Sequence, residues 1–268
     1  MMYEALEITR DGSVATIWMN RPQRHNAFDA ALIAELTQAF TQLGADDETR
    51  IVILAGRGKS FSAGGDLNWM KAAGEAGFDA NLADAEKLAQ MFHILAEIPK
   101  PTIARVHGAA LGGGMGLASA CDICIASTLA SFATSEVRLG IIPAVISPYV
   151  LRAIGARQAS RYFLTAERID AAKALQIGLV HEVTEAEALD AAIDDLIAAL
   201  LNGGPQAQAA AKRLIRNVAG KMMGDALAQE TADSIAALRM NAEAREGLSA
   251  FLDKRVPAWI NRTGSDDV

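Results

Sequence analysis

The chain has 268 residues and a mass of 28.3 kDa, enough for one large buried core with an appendage. With 51% hydrophobic and 21% charged residues, it is not an intrinsically disordered chain. A formal charge of −7 and a pI near 5.2 carry the wrong sign for general nucleic-acid binding, but allow an anionic ligand held by a few local basic groups.

Two cysteines, Cys121 and Cys124, are too few for a disulfide framework. Their C-x2-C spacing has no second pair, and His25, His93, His107 and His181 are scattered, so no zinc site is expected. The N-terminal MMYEALEITRDG lacks the basic and apolar regions of a secretory signal. The longest uncharged runs, Val106 to Cys121 and Leu139 to Leu151, are too short to span a bilayer. The expectation is a cytoplasmic protein with neither membrane nor nucleic acid as partner.

In chain order, Tyr3 to Thr9 and Val14 to Met19 flank Asp11-Gly12, a hairpin turn signal. A polar loop, NRPQRHN, follows. Asp29 can cap a helix carrying Leu32, Ile33, Leu36, Phe40 and Leu43 at helical spacing. Arg50 to Ala55 is a continuously apolar strand of the kind buried on both faces. The loop GRGKSFSAGGD leads to helix from Asp66, and a second helix covers Asn81 to Glu97. The pattern then repeats: strand Thr102 to His107, glycine-rich Gly108 to Gly114, buried helix Met115 to Cys121. Strands are expected at Asp122 to Ala126 and Ser131 to Thr134. Ser147-Pro148 opens a helix, with proline in the first turn where its missing N–H costs nothing. Asp170 to Gln176 reads as a short helix ended by Gly178, Leu179 to Val183 as a strand, and Glu185 to Leu201 as a helix. Asn202-Gly203-Gly204-Pro205 marks a boundary, giving a core over 1–203 and a C-terminal piece over 204–268. That piece reads as helix only: Gln206 to Ala219, Asp225 to Met240 and Arg245 to Asn261. The layout is a mixed α/β core of short parallel strands plus helices whose apolar stripes must bury against the core or another copy.

Several motifs fail. Gly58-Lys59-Ser60 ends like a phosphate-binding loop, but position 53 is Ile rather than Gly. Gly112 to Leu117 does not satisfy G-x-G-x-x-G, and no G-x-S-x-G occurs. Two similar features remain, Ser62-Ala63-Gly64-Gly65-Asp66 and Leu111-Gly112-Gly113-Gly114, each between an apolar strand and a helix. Amides at a helix N-terminus have no internal partner. Two such junctions side by side could aim two N–H groups at one carbonyl oxygen, making an oxyanion hole. The same glycines could instead only allow close helix–strand packing.

The stretches RPQRHNAF, GRGKSFSAGGDL, KPTIARVHGAALGGGMGLASACDICIA, FATSEVRLGIIPAV, LTAERIDAAKALQIGLVHEV and FLDKR resemble the crotonase (enoyl-CoA hydratase/isomerase) superfamily, in order along nearly the whole chain. The resemblance implies an α/β fold, a spiral of ββα repeats, with C-terminal helices that mediate homotrimers, often paired into hexamers. It implies acyl-CoA thioester substrates and no cofactor beyond the coenzyme A of the substrate. By resemblance, the oxyanion-hole amides are those of Gly65 and Gly113. Coenzyme A contacts fall on Arg24, on the backbone at Ala63, Asp66 and Leu67, and on Phe251 and Lys254 of the C-terminal F-x-x-K element. Lys59 is a further candidate for a local positive patch.

Enoyl-CoA hydratases of this superfamily typically carry two catalytic glutamates. The second matches Glu136 in FATSEV; the first would stand at position 116, which is Gly. A single carboxylate can serve syn hydration of a 2-enoyl thioester or Δ3–Δ2 isomerisation, and Ser119, Ser147 or a water could supply a missing acid. The stretch GIIPAVISPYVLRAIG departs from the family's usual glycine-rich form. With the missing first glutamate, it resembles bacterial methylglutaconyl-CoA hydratases. Hydratase is the expected activity, isomerase the alternative, and a non-catalytic acyl-CoA-binding protein the reading from another class.

Overall fold

A computed structural model describes residues 3–260. It divides into two compact units, one of residues 3–98 with 102–194, the other of 99–101 with 195–260.

The first unit opens with the antiparallel hairpin β1 (Leu6–Asp11) and β2 (Val14–Met19), turned at Gly12. Helix α1 (Ala30–Ala45) is capped by Asp29, whose carboxylate accepts from the Leu32 N–H at 2.9 Å. All five apolar positions named from its sequence are buried. Three strand–strand–helix turns then wind in succession: β3 (Ile51–Gly56), β4 (Ser60–Ser62) and α2 (Leu67–Glu75), with α3 (Phe78–Glu97) appended; β5 (Thr102–Val106), β6 (Ala109–Leu111) and α4 (Gly113–Ala120); β7 (Ile123–Ser127), β8 (Ser131–Ala133) and α5 (Ser147–Thr165). The short strand β9 (Ile169–Asp170), helix α6 (Ala171–Gln176) and strand β10 (Glu182–Thr184) complete it before α7 (Leu189–Leu201).

Each turn gives its first strand to one sheet and its second to another. The six-stranded sheet runs β1-β2-β3-β5-β7-β10, parallel from β2 onward; the four-stranded sheet runs β4-β6-β8-β9, closed by the antiparallel pair β8–β9. This is the spiral of ββα repeats that the resemblance implied. Every residue of β3 is buried, as a strand covered on both faces requires. The largest fully buried side chains include Phe28, Phe40, Phe61, Phe92 and Phe132.

The polar loop before α1 is bolted beneath β4. Asn26 is fully buried, and its Nδ2 donates to the carbonyls of Arg57 and Ser60 at 2.9 Å and of Phe61 at 3.2 Å. Ser62 Oγ donates back to the Asn26 carbonyl at 2.8 Å.

The second unit holds α8 (Pro205–Val218), α9 (Asp225–Arg239) and α10 (Ala242–Leu252). Residues 99–101 join it where Lys212 Nζ donates to the Lys100 carbonyl at 3.2 Å.

Several boundaries differ from expectation. Strands β4, β6 and β9 are two or three residues long and show no periodicity in sequence. Helix α3 begins at Phe78 rather than Asn81. The final helix ends at Leu252, because Lys254 turns left-handed (φ 55°) and Pro257 cannot continue a helix; Asn261 lies outside the described residues. Helix α4 begins at Gly113 rather than Met115, with Cys121 as its C-cap; both thiols are buried, and burial pushes the Cys124 thiol far up. Among the described residues, no helix is long and apolar enough to cross a membrane.

Candidate active site

The topology brings three strand ends together. β4 pairs with β6 through Ser62↔Ala110, and β6 pairs with β8 through Leu111↔Ala133. The residues just beyond are Ala63–Asp66, Gly112–Gly113 and Ser135–Glu136. All of these but Asp66 line one cavity of about 360 Å³, with Phe28, Trp69, Met70 and Leu88 on further parts of its wall. Its size and largely apolar lining suit a small organic ligand.

The two glycine bends touch. Gly64 (φ 89°) and Gly112 (φ 50°) both hold positive backbone angles that suit glycine, and a Cβ on Gly112 would stand 3.7 Å from Gly64 Cα. Phe28 pairs with Gly65 in a parallel bridge, donating to the Gly64 carbonyl at 2.7 Å and accepting from the Asp66 N–H at 2.8 Å. That pairing uses the groups flanking Gly65 and turns its own N–H the other way. Gly113 is the first residue of α4, where an N–H has no intrahelical partner. The two amides singled out from sequence thus sit on adjoining bends at the wall of one cavity.

Glu136 opens a short 3-10 turn, Glu136–Leu139, directly after β8. Its Oε1 lies 3.2 Å from where a Cβ on Gly112 would stand. Its Oε2 is buried with no hydrogen-bond partner. Burial pushes its pKa above the ordinary carboxylate value, and its own backbone N–H pulls more weakly the other way. A carboxyl group in such surroundings holds its proton more firmly than an exposed one, as a general acid–base group requires.

Position 116 has no room for a side chain. A Cβ there would meet Ile146 Cγ2 and lie 2.8 Å from Ile146 Cβ and 3.0 Å from Phe92 Cε1. Phe92 is fully buried, stacked on Phe28 with ring centroids 6.4 Å apart. Ser119 and Ser147 spend their hydroxyls on backbone, donating to the carbonyls of Met115 (2.9 Å) and Ala144 (2.8 Å).

Arg24 and Asp66 pair directly, Nη1 to Oδ2 at 3.0 Å. Asp66 also caps α2, accepting from the N–H groups of Asn68 (2.9 Å) and Trp69 (3.4 Å). Burial pulls the Asp66 pKa up, but these amides and the guanidinium outweigh it and the carboxyl ends below its usual value. Leu67 starts α2 and is 79% exposed, and Lys59 is exposed on its loop. Phe251 and Lys254 lie in the other unit, at the exposed end of α10.

The model of the enoyl-CoA hydratase/isomerase family matches residues 9–262. The chain belongs to the enoyl-CoA hydratase/isomerase family. It is an enzyme of that family by its relatives also. It is 32% identical to the crotonyl-CoA hydratase of Syntrophomonas wolfei over 98% of this chain and 100% of that one. It is equally 32% identical to the trans-2-decenoyl-[acyl-carrier-protein] isomerase of Streptococcus mutans, over 94% and 96%. Among solved structures, an enoyl-CoA hydratase from Shewanella pealeana superposes with a TM-score of 0.93 at 45% identity, covering 96% of each chain. AtuE of Pseudomonas aeruginosa superposes with a TM-score of 0.91 at 37% identity, covering 96% of this chain and 100% of that one.

Within this hydratase/isomerase, sequence reading missed the wall. Trp69, Met70, Leu88 and Ile146 fall outside the recognised motifs, Phe28 only ends RPQRHNAF without a role read for it, and they meet only through folding. Ile146 had one signal, its place in the divergent GIIPAVISPYV stretch.

Proposed function

We propose that the protein hydrates 2-enoyl-CoA thioesters with Glu136 as its one acid–base carboxylate. The N–H groups of Gly65 and Gly113 hold the thioester oxygen. Glu136 takes a proton from water as the water oxygen bonds to Cβ, and the Cα=Cβ electrons move to the thioester as an enolate. Glu136 then returns its proton to Cα, giving the 3-hydroxyacyl thioester. The amides stabilise the enolate charge, so no cofactor besides the substrate's coenzyme A is required. The observation that carries this reading is the buried, unpartnered Glu136 oxygen beside the paired glycine bends.

Coenzyme A is assigned to Arg24, Ala63, Asp66 and Leu67, with Phe251 and Lys254 completing the site in an oligomer. Exposed apolar side chains such as Ile215 (65%), Phe251 (81%) and Leu252 (77%) in the C-terminal unit support trimers or paired trimers; sedimentation of a monomer would remove that part.

The leading acyl group is the branched methylglutaconyl group, on the strength of the stretch over residues 140–155 together with the missing glutamate at position 116. Its distal carboxylate calls for a cation, and among the described residues no cationic side chain lines the cavity. Crotonyl-, methylcrotonyl- and methylglutaconyl-CoA therefore form the decisive panel. Loss of the conjugated enoyl-thioester absorbance on adding enzyme supports the reading; no change with any of the three rejects it.

Isomerisation is the second reading, favoured by the blocked position 116. The same carboxylate would remove an α-proton and deliver it to Cγ. It requires conjugated product from a 3-enoyl-CoA without incorporation of labelled water oxygen.

A further inference from the structure

We propose that the contact between Gly116 and Ile146 sets the depth of the acyl pocket, with Ile146 as the specificity-determining side chain. The inference rests on the acyl-CoA reading of the cavity and deepens it. Ile146 lines the cavity and is only 3% exposed, so it stands between the ligand space and α4. Its position is set from three sides. Its carbonyl accepts from the Tyr149 and Val150 N–H groups at 3.1 Å, which fixes it at the start of α5. Phe92 backs the same spot, with Tyr149 tilted against that ring at 5.6 Å between centroids. Gly116 supplies the flat helix face on which Ile146 rests.

A rotamer change does not release this contact. Ile146 is β-branched, and its Cβ would itself stand 2.8 Å from a Cβ at position 116. Any side chain at 116 must therefore push Ile146, and the start of α5, toward the cavity. The absence of a carboxylate at 116 and the bulk at 146 are two sides of one packing solution. The wall they form is apolar.

The two positions should act in opposite directions. Ile146→Ala deepens the pocket, and Gly116→Ala makes it shallower. The test compares kcat/KM for 2-octenoyl-CoA against 2-butenoyl-CoA in the parent and both variants. A few methylenes of apolar space change such ratios by about 10-fold or more. The ratio should rise by about that factor in Ile146→Ala and fall in Gly116→Ala, with Ile146→Val moving it less and in the same direction as Ile146→Ala. Should Ile146→Ala fail to fold, Ile146→Val carries the test.

Calorimetric binding of octanoyl-CoA against butyryl-CoA reads the same wall without chemistry. A parent that turns over no enoyl thioester rejects the proposed reaction, while the binding ratios still judge the pocket. A parent that is active, with both ratios within about two-fold of parent in Ile146→Val and Ile146→Ala, overturns the inference alone.

Discussion

Oε1 of Glu136 lies 3.2 Å from the point where a Cβ on Gly112 would stand, so this buried carboxyl group and the second glycine bend are built against each other. Gly112 leads into α4 with φ 50° and ψ −118°, a backbone state that only glycine holds comfortably. Gly112→Ala should cost about 1–3 kcal/mol in backbone strain and also displace the carboxylate. Gly12, at φ 52° in the hairpin turn with open space around it, is the control. Both alanine variants should melt lower by calorimetry, but only Gly112→Ala should lose kcat.

Glu136→Gln should lower kcat by about 10²–10⁴-fold while saturated acyl-CoA still binds. Equal turnover in parent and variant would favour a binding protein over an enzyme. In the parent, the pH profile of kcat/KM should rise with a midpoint above the ordinary carboxylate value, because burial favours the protonated form and the base must be ionised.

The same shift has a consequence for stability. The folded chain holds the Glu136 proton more tightly than the unfolded chain does. Between the ordinary carboxylate value and the raised folded one, unfolding releases a proton, so stability falls as pH rises through that window. Glu136→Gln removes the dependence. Its melting temperature should exceed the parent's at neutral pH, and the gap should close in acid, below the ordinary carboxylate range.

The two glycines of the proposed oxyanion hole differ in tolerance. A Cβ on Gly113 would stand 2.8 Å from Phe28 Cε2, a ring atom in the buried core. A Cβ on Gly65 would meet the flexible Met70 side chain, with Cγ at 3.1 Å. Gly113→Ala should therefore lose more kcat than Gly65→Ala, up to about 10²–10³-fold where the amide is displaced. Similar losses in the two variants would contradict this account.

Arg24 and Asp66 separate binding from stability. Arg24 is half exposed, so its ion pair contributes about 0–1 kcal/mol, and Arg24→Ala should raise KM for acyl-CoA with kcat nearly unchanged. Asp66→Ala removes the α2 cap, at about 1 kcal/mol, whereas Asp66→Asn keeps a capping oxygen and should melt closer to the parent. Denaturation and steady-state kinetics on the three variants read this directly.

Much was legible in one dimension. The capped helix at Asp29, the apolar run Arg50 to Ala55 and the recurring glycine bends are local patterns, written at spacings that a helix or strand imposes on its own residues. The bends at Gly64 and Gly112 could be recognised as equivalent because each follows a strand and precedes a helix. That they adjoin was decided by the pairing of β4 with β6, strands of three residues that leave no periodic trace. The Arg24–Asp66 pair spans 42 positions, and the Ile146 wall closes on Gly116 from a different helix. Sequence determined which residues were candidates for chemistry and how each is locally shaped. Only the tertiary structure decided which of them meet, because contact across long stretches of chain depends on sheet register and on how bulky side chains share a filled interior.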